Sequence, residues 1–421
     1  MRTSGGRVRP DMAESTVCRS CGSDRIERFL SLGETPLADA LVAPERAGDD
    51  ERRYPLDVSF CPECSLVQIT EEVPPEELFV NNYLYFSSFS DELLRHSREH
   101  ALGLIASRSL GPDDLVVEVA SNDGYLLRNF VDEGIPVIGI DPAPDQAAAA
   151  TGNGVPTIAE FFGPELADRL VAEHKKASVI IANNVMAHVP DLNGFVEGLS
   201  TLVADDGIIT IENPYVRDLI DNVEFDTIYH EHHCYFSCTA VDALVRRHGL
   251  YLNDVDYFPK LHGGTLRWTV GPRQEPSEAV GAYLAAEASA GLTGLDYYRG
   301  FAEDVAHISE ELRQLLEKLK SEGSRIAAYG AAAKGSTLVN VVGIDGRLVD
   351  YVVDRNVHKQ GMLMPGVRLP IRDPSVLLED RPDYLLLLAW NFADEILEQQ
   401  SAYRDAGGCF IVPVPEPKVI V

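Results

Sequence analysis

Four short apolar runs, "DLVVEVA", "IPVIGID", "ASVIIANN" and "GIITIEN", recur between residues 114 and 213, with amphipathic stretches separating them. They read as buried strands, because runs this short and this apolar suit strands covered on both faces. Such strands alternating with helices make a parallel, helix-covered sheet, so the chain is expected to be an α/β protein. The acid-rich helical stretch "DYYRGFAEDVAHISEELRQLLEKLKSEG" interrupts the alternation, which resumes in "RIAAYGA", "LVDYVVD" and "DYLLLLAW". A second Rossmann-like α/β unit is therefore expected toward the C-terminus, with the long helix as connector.

At 421 residues there is chain for two or three domains, each with a sizeable core. A formal charge of -30 repels the phosphate backbone of nucleic acid, so an anionic ligand must be held by local cations or helix N-termini. The opening residues "MRTSGGRVRPDMAEST" have no apolar h-region, and no later stretch suits a membrane span. A cytoplasmic protein is the expectation.

Four of the seven cysteines fall in the first 64 residues, as "CRSC" (Cys18, Cys21) and "CPEC" (Cys61, Cys64). Two CxxC knuckles offer four thiolates to one tetrahedral zinc, and neither knuckle sits in the strand-to-helix pattern of a redox pair. A site with four protein ligands is closed. It stabilises a small N-terminal module and activates no water.

In "VVEVASNDGYLL" the first buried strand reaches Glu118 and enters a turn through Ala120 and Asn122 to Gly124. A turn of small residues at the carboxyl end of such a strand lets a cofactor approach the backbone, although the glycine content is too low for a dinucleotide fingerprint. "VIGID" then places Asp141 at the end of the second strand, where an acidic residue takes ribose hydroxyls. Asn183, Asn184 and His188 follow a later strand in "IIANNVMAHVPD". Each residue alone fits a cap or turn. Their order along consecutive strands points to a nucleoside-containing cofactor.

The paired knuckles, "VVEVASNDGYLL", "NNVMAHV", "YHEHHCYFS", "HGGTLR" and "YGAAAKGSTLVN" occur in the order that resembles the three-part C-methyltransferases of deoxysugar biosynthesis, over almost the whole chain. The resemblance implies a zinc-binding module at 1–75, an S-adenosylmethionine-binding domain at 76–290 and a sugar-nucleotide domain at 291–421. It implies that Glu118, Gly124 and Asp141 surround the methionine and ribose of the cofactor, with Asn183 near the site. It also implies zinc on the four cysteines. The expected substrate is a dTDP-linked 4-keto deoxysugar, methylated next to its keto group, most naturally at carbon 3, on the way to a branched sugar of an antibiotic.

Methylating carbon requires removal of a hydrogen beside a ketone, which needs a placed base and a stabilised enolate oxygen. "YHEHHCYFS" supplies such groups. By resemblance His232 is the base, with Glu231 beside it and Tyr229 as a donor. On an extended segment Tyr229, Glu231 and His233 share one face and His230 and His232 the other, whereas a helical turn gathers Tyr229, His232 and His233. Tyr83 and His188 align with positions that approach the sugar, and Tyr85 is a weaker neighbour. In the last domain, "RIAAYGAAAKGSTLVN" carries Lys334 near a helix start suited to a pyrophosphate, and "VVDRNVHKQG" offers Arg355 and Lys359. His262 and Arg267 of "HGGTLR" complete the substrate candidates. Three domains can enclose such a site within a monomer.

Other readings of the same residues are an O- or N-methyltransferase, an NAD-dependent oxidoreductase and a zinc-ribbon adaptor. The oxidoreductase lacks its glycine-rich fingerprint, and the adaptor has no use for two cofactor-type domains.

Overall fold

A computed structural model describes residues 17–74, 78, 86–261 and 263–421; Tyr83, Tyr85 and His262 lie outside the described residues. Strands β1 (Glu27–Thr35), β2 (Tyr54–Phe60) and β3 (Val67–Ile69) form an antiparallel meander. Cys61 and Cys64 stand in the tight turn between β2 and β3, where the Ser65 amide donates to the Cys61 carbonyl.

The middle of the chain contributes β4 (Val116–Val119), β5 (Val137–Ile140), β6 (Thr157–Ile158), β7 (Ala177–Asn183), β8 (Val203–Pro214), β9 (Cys234–Tyr235), β10 (Tyr251–Phe258) and β11 (Thr265–Gly271). Seven of these eight build one sheet, in the order β10-β11-β8-β7-β4-β5-β6. Pairing is parallel from β8 through β6, and β11 enters antiparallel to β8. All four residues of β4 are buried, as an inner parallel strand requires. The eighth strand, β9, leaves this unit and pairs with β3, so the N-terminal sheet has the order β1-β2-β3-β9.

The last sheet holds β12 (Ile326–Tyr329), β13 (Val352–Val353), β14 (Ile371–Arg372), β15 (Tyr384–Leu387), β16 (Cys409–Val412) and β17 (Lys418–Ile420), in the order β14-β13-β12-β15-β16-β17. In both larger sheets the chain works outward from the first strand and then returns to its other side, at β4/β7 and at β12/β15. Those switch points open crevices at the carboxyl ends of the strands, where ligands bind in such folds.

The connector is the helix Phe301–Ser321, which buries Phe301, Val305, Ile308, Leu312, Leu316 and Leu319 at three- and four-residue spacing. They share one core with Leu56, Val58 and Phe60 of β2 and with Ile326 and Ala328 of β12. The helix therefore joins the N-terminal and C-terminal units rather than merely linking the second to the third. The chain between β1 and β2 reaches farther: Val42 and Leu363 exchange backbone hydrogen bonds of 2.9 and 2.8 Å, and Glu51 accepts from Arg368 at 2.8 Å. Among the described residues no helix is long and apolar enough to cross a membrane.

Candidate active site

The turn after β4 is wound tightly, with positive φ at Ala120 (58°), Asn122 (48°) and Gly124 (79°). Each non-glycine residue in that region costs about 1–3 kcal/mol, so the surroundings must enforce the conformation. Asp141 does so, accepting from the Asn122 amide and the Ala143 amide at 2.9 Å each, while the Asn122 side chain accepts from the Ser87 amide at 2.9 Å. A Cβ on Gly124 would stand 2.9 Å from Val155, so that position has no room for a side chain.

Beside this turn lies a cleft of about 160 Å³, lined by Ala120, Asn122, Asp141, Asn183 and His188 among others. The Asp141 carboxylate has two of its roughly four lone-pair directions taken by amides, leaving the rest for hydroxyls. Burial lifts its pKa to about 6, against the pull of the Ala143 and Asn122 amides. These groups suit a nucleoside with vicinal hydroxyls. Glu118 and Gly124 do not line the cleft. Glu118 is buried beneath the turn, and burial, followed by the charges of Asp141 and Asp123, holds its carboxyl well above the ordinary range.

Residues 229–232 form a turn, closed by the His232 amide donating to the Tyr229 carbonyl at 2.9 Å. That turn realises part of the helical alternative, gathering Tyr229 and His232 with ring centroids 4.1 Å apart. His232 Nδ1 lies 2.9 Å from the Thr227 carbonyl, which can only accept, so Nδ1 carries the proton. Nε2 is thereby left with its lone pair and takes the Tyr229 hydroxyl at 2.8 Å. Burial, reinforced by His188, keeps His232 well below the usual histidine range and therefore neutral. His188 packs edge-on against it at 4.7 Å and also lines the cofactor cleft. The acceptor nitrogen is thus one ring removed from the cleft wall.

Glu231 has charged neighbours of its own. It is buried near Asp39 and Lys359, and burial, then Asp39, raises its pKa well above the usual value. The C-terminal unit holds the segment just before the pair: Trp390 Nε1 donates to Asp226 at 2.7 Å, and Thr337 donates to the Ile228 carbonyl at 3.3 Å.

The basic residues expected at the substrate occupy varied positions. The Lys334 ammonium is buried against the Trp390 ring, 4.3 Å from its centroid, and is attracted by Glu224 and Asp226. Burial, opposed by Lys334, lifts Glu224 to about 8 and raises Asp226 above the ordinary carboxylate range, and the buried Lys334 ammonium makes no hydrogen bond to another described residue. Lys359 is buried and donates to the Ala331 carbonyl at 2.8 Å, with Asp39 at 3.8 Å. Arg355 keeps a half-exposed side chain, with only a 3.5 Å contact to Glu395. Arg267 donates through Nε to Glu212 at 2.6 Å and lines a separate recess with His96, His100 and Phe258, none of which lines the cofactor cleft. Although burial opposes it, the His96 hydrogen bond and the charge of Arg267 pull Glu212 down to about 2. Arg267 therefore fastens the helix Asp91–Arg108 to the sheet, away from the cleft.

The sulfurs of Cys18, Cys21, Cys61 and Cys64 all lie within 4.8 Å of one another. That grouping fits tetrahedral zinc, whose Zn–S bonds of about 2.3 Å hold sulfurs slightly under 4 Å apart. The set is closed and lies outside the residues lining the cofactor cleft.

Sequence reasoning missed the Thr227 carbonyl, the Trp390–Asp226 bond and the pairing of β9 with β3. A backbone carbonyl has no residue signature. The remaining two join segments far apart in the chain.

Three family models match the chain: a zinc binding domain over residues 18–79, a methyltransferase domain over 90–255 and a C-methyltransferase C-terminal domain over 260–415. The C-methyltransferase NovU of Streptomyces niveus is 37% identical over 406 residues, covering 96% of each chain. Among solved structures, magnesium protoporphyrin IX methyltransferase from Synechocystis is 13% identical and covers 42% of this chain and 78% of its own, with a TM-score of 0.33. An S-adenosylmethionine-dependent methyltransferase from Clostridium acetobutylicum is 10% identical over 44% of this chain and 92% of its own, with a TM-score of 0.34.

Proposed function

The chain belongs to the C-methyltransferase family and is an S-adenosylmethionine-dependent enzyme, and on that premise we propose that its acceptor is the carbon beside the keto group of a dTDP-linked 4-keto deoxysugar. Carbon 3, bearing an amino or hydroxyl group, is the position we assign. The sugar product fits the assembly of a branched deoxysugar for a natural product.

The observation that carries this reading is the neutral His232, its Nδ1 proton held by the Thr227 carbonyl and its Nε2 lone pair turned to the Tyr229 hydroxyl beside the cofactor cleft. Transfer to an oxygen or a nitrogen starts from an atom that already owns a lone pair. Transfer to carbon needs one made by proton removal, and a fixed unprotonated imidazole makes it. When bound, S-adenosylmethionine supplies a methyl group made electrophilic by its sulfonium. Asp141 accepts the ribose hydroxyls, and the Ala120–Gly124 turn receives the cofactor against the backbone.

The sugar carbon gives its proton to His232 Nε2, with the Tyr229 hydroxyl turning to the keto oxygen as its electron pair withdraws there. With the methyl donor bound, the electron pair would form the new carbon–carbon bond as the sulfonium's carbon–sulfur bond breaks, restoring the ketone and leaving a neutral thioether. His188 forms the wall between the two ligands and keeps water off the pair. Arg355, at the carboxyl end of β13, is the cation we assign to the sugar diphosphate. Tyr83 and His262, outside the described residues, remain proposed substrate contacts.

The test is incubation with dTDP-4-keto-6-deoxysugars and S-adenosylmethionine, with the methyl located by NMR. A methyl on the carbon flanking the keto group is expected, and a methyl on oxygen or nitrogen overturns the assignment.

A further inference from the structure

The catalytic turn is not carried by the cofactor domain alone. Immediately after His232 the chain becomes the outer strand of the N-terminal sheet: Cys234 pairs with Gln68 and Tyr235 with Val67, and the Ile69 amide donates to the His233 carbonyl at 3.0 Å. Within the turn, His230 is buried and its Nε2 donates to the Pro55 carbonyl of β2 at 3.0 Å, with its ring 5.6 Å from that of Tyr54. His232 is therefore flanked on both sides by residues fastened to the module that holds the cysteines.

The metal site reaches the same strands. Cys61 and Cys64 close the turn that delivers the chain from β2 to β3. Gln68, wholly buried in β3, accepts from the Arg19 amide at 2.9 Å and donates to the Val17 carbonyl at 3.3 Å, which ties β3 to both sides of Cys18. On the opposite side, the His233 amide donates to the Ala187 carbonyl at 2.7 Å, next to His188. The path from the sulfurs to His232 is short and made of backbone hydrogen bonds joined by the Gln68 and His230 side chains.

We propose that the N-terminal module, closed by its four cysteines, sets the position of the catalytic pair through β3 and the His230–Pro55 hydrogen bond, making His230 and Gln68 positioning residues for the reaction. This rests on the reading of Tyr229 and His232 as that pair. A module that only covered a hydrophobic edge would change stability and leave the chemistry of the surviving folded molecules alone. One that aligns a base changes turnover, since a misplacement near 1 Å costs roughly a hundredfold in rate.

The experiment compares His230→Ala, His230→Gln and wild type in the full-length zinc-loaded protein, measuring kcat, KM for each substrate and Tm. A glutamine amide can still donate to the Pro55 carbonyl. Expected is a fall in kcat of about ten- to a hundredfold for His230→Ala, with both KM values within about twofold, and recovery of most of it in His230→Gln. A second arm needs no variant: zinc is stripped with a chelator and amide hydrogen exchange is followed. Faster exchange at Ile69 and His233, with β4 still protected, supports the coupling. Wild-type turnover in His230→Ala, equal impairment of both variants, or unchanged protection at Ile69 and His233 overturns it. His232→Asn separates the two readings: an active His232→Asn removes the base assignment, whereas an inactive one beside an unimpaired His230→Ala removes only the coupling.

Discussion

Replacing His232 by asparagine isolates the lone pair that the mechanism needs. The asparagine amide nitrogen falls near the place of Nδ1, so the 2.9 Å bond to the Thr227 carbonyl can persist while Nε2 is deleted. The Tyr229 hydroxyl loses its 2.8 Å acceptor, which costs about 1 kcal/mol for a group still partly open to water. Ring contacts with Tyr229 at 4.1 Å and His188 at 4.7 Å are lost for roughly another 1 kcal/mol. A loss of about 2 kcal/mol leaves an ordinary domain folded. The rate should suffer more, because a general base contributes about 10²- to 10⁴-fold, or about 2.7–5.4 kcal/mol of barrier. The assay is deuterium uptake at the sugar carbon in heavy water without S-adenosylmethionine, which reports proton removal before any methyl moves. Uptake and methylation should fall together by at least a hundredfold, while Tm falls by only a few degrees. Exchange at the wild-type rate in His232→Asn would refute the argument, since the proton would then be leaving by another route.

Asp141 should confer a pH dependence on cofactor affinity. Its pKa in the folded protein is raised to about 6, so the ionised acceptor is present above that pH and is lost as pH falls through it. Calorimetric binding should weaken by up to about tenfold per pH unit below 6, and Asp141→Asn should bind about 10- to 150-fold more weakly at pH 8 with that dependence abolished. Gly124→Ala meets both a φ of +79° and a Cβ 2.9 Å from Val155, so thermal unfolding should show a loss of about 1–3 kcal/mol, and an unchanged Tm would mean that the turn relaxes freely. Arg355→Ala should raise KM for the sugar nucleotide by about tenfold or more while KM for S-adenosylmethionine stays put; equal effects on both would remove Arg355 from the diphosphate.

Local chemistry was legible because it depends on near neighbours. Strand 116–119 is readable from its unbroken apolar run, and Asp141 from its place at the end of the next strand. The long helix shows its buried stripe in the spacing of Val305, Ile308, Leu312 and Leu316. The cysteine spacing identified four ligands that the fold brings within 4.8 Å. Charge was legible as type but not as availability. Lys334, Lys359 and Arg267 read as three cations for an anionic substrate; in the fold Lys359 donates to the Ala331 carbonyl and Arg267 to Glu212, while Lys334 lies over the Trp390 ring with its ammonium making no hydrogen bond to another described residue. A sequence names the donors on each side chain and leaves open who accepts from them.

The nine residues "YHEHHCYFS" mark this boundary most clearly. Their composition pointed to a proton-handling site, beside the plainer readings of a metal site or a polar loop with buried aromatic anchors. Their alternation was compatible with a strand or with a turn, and the two geometries choose different partners for His232. The outcome combines them: the 229–232 turn sets Tyr229 against His232, and the chain then extends as β9. What decided it was hydrogen bonding to Thr227, Pro55, Ala187 and Ile69, which come from different parts of the molecule. Periodicity specifies which face a residue presents, but backbone groups pair with whichever strand the completed fold brings alongside. The sequence thus determined the sheets, the metal ligands and the kind of chemistry, and the tertiary structure alone placed the 229–232 turn on the edge of the metal-binding module.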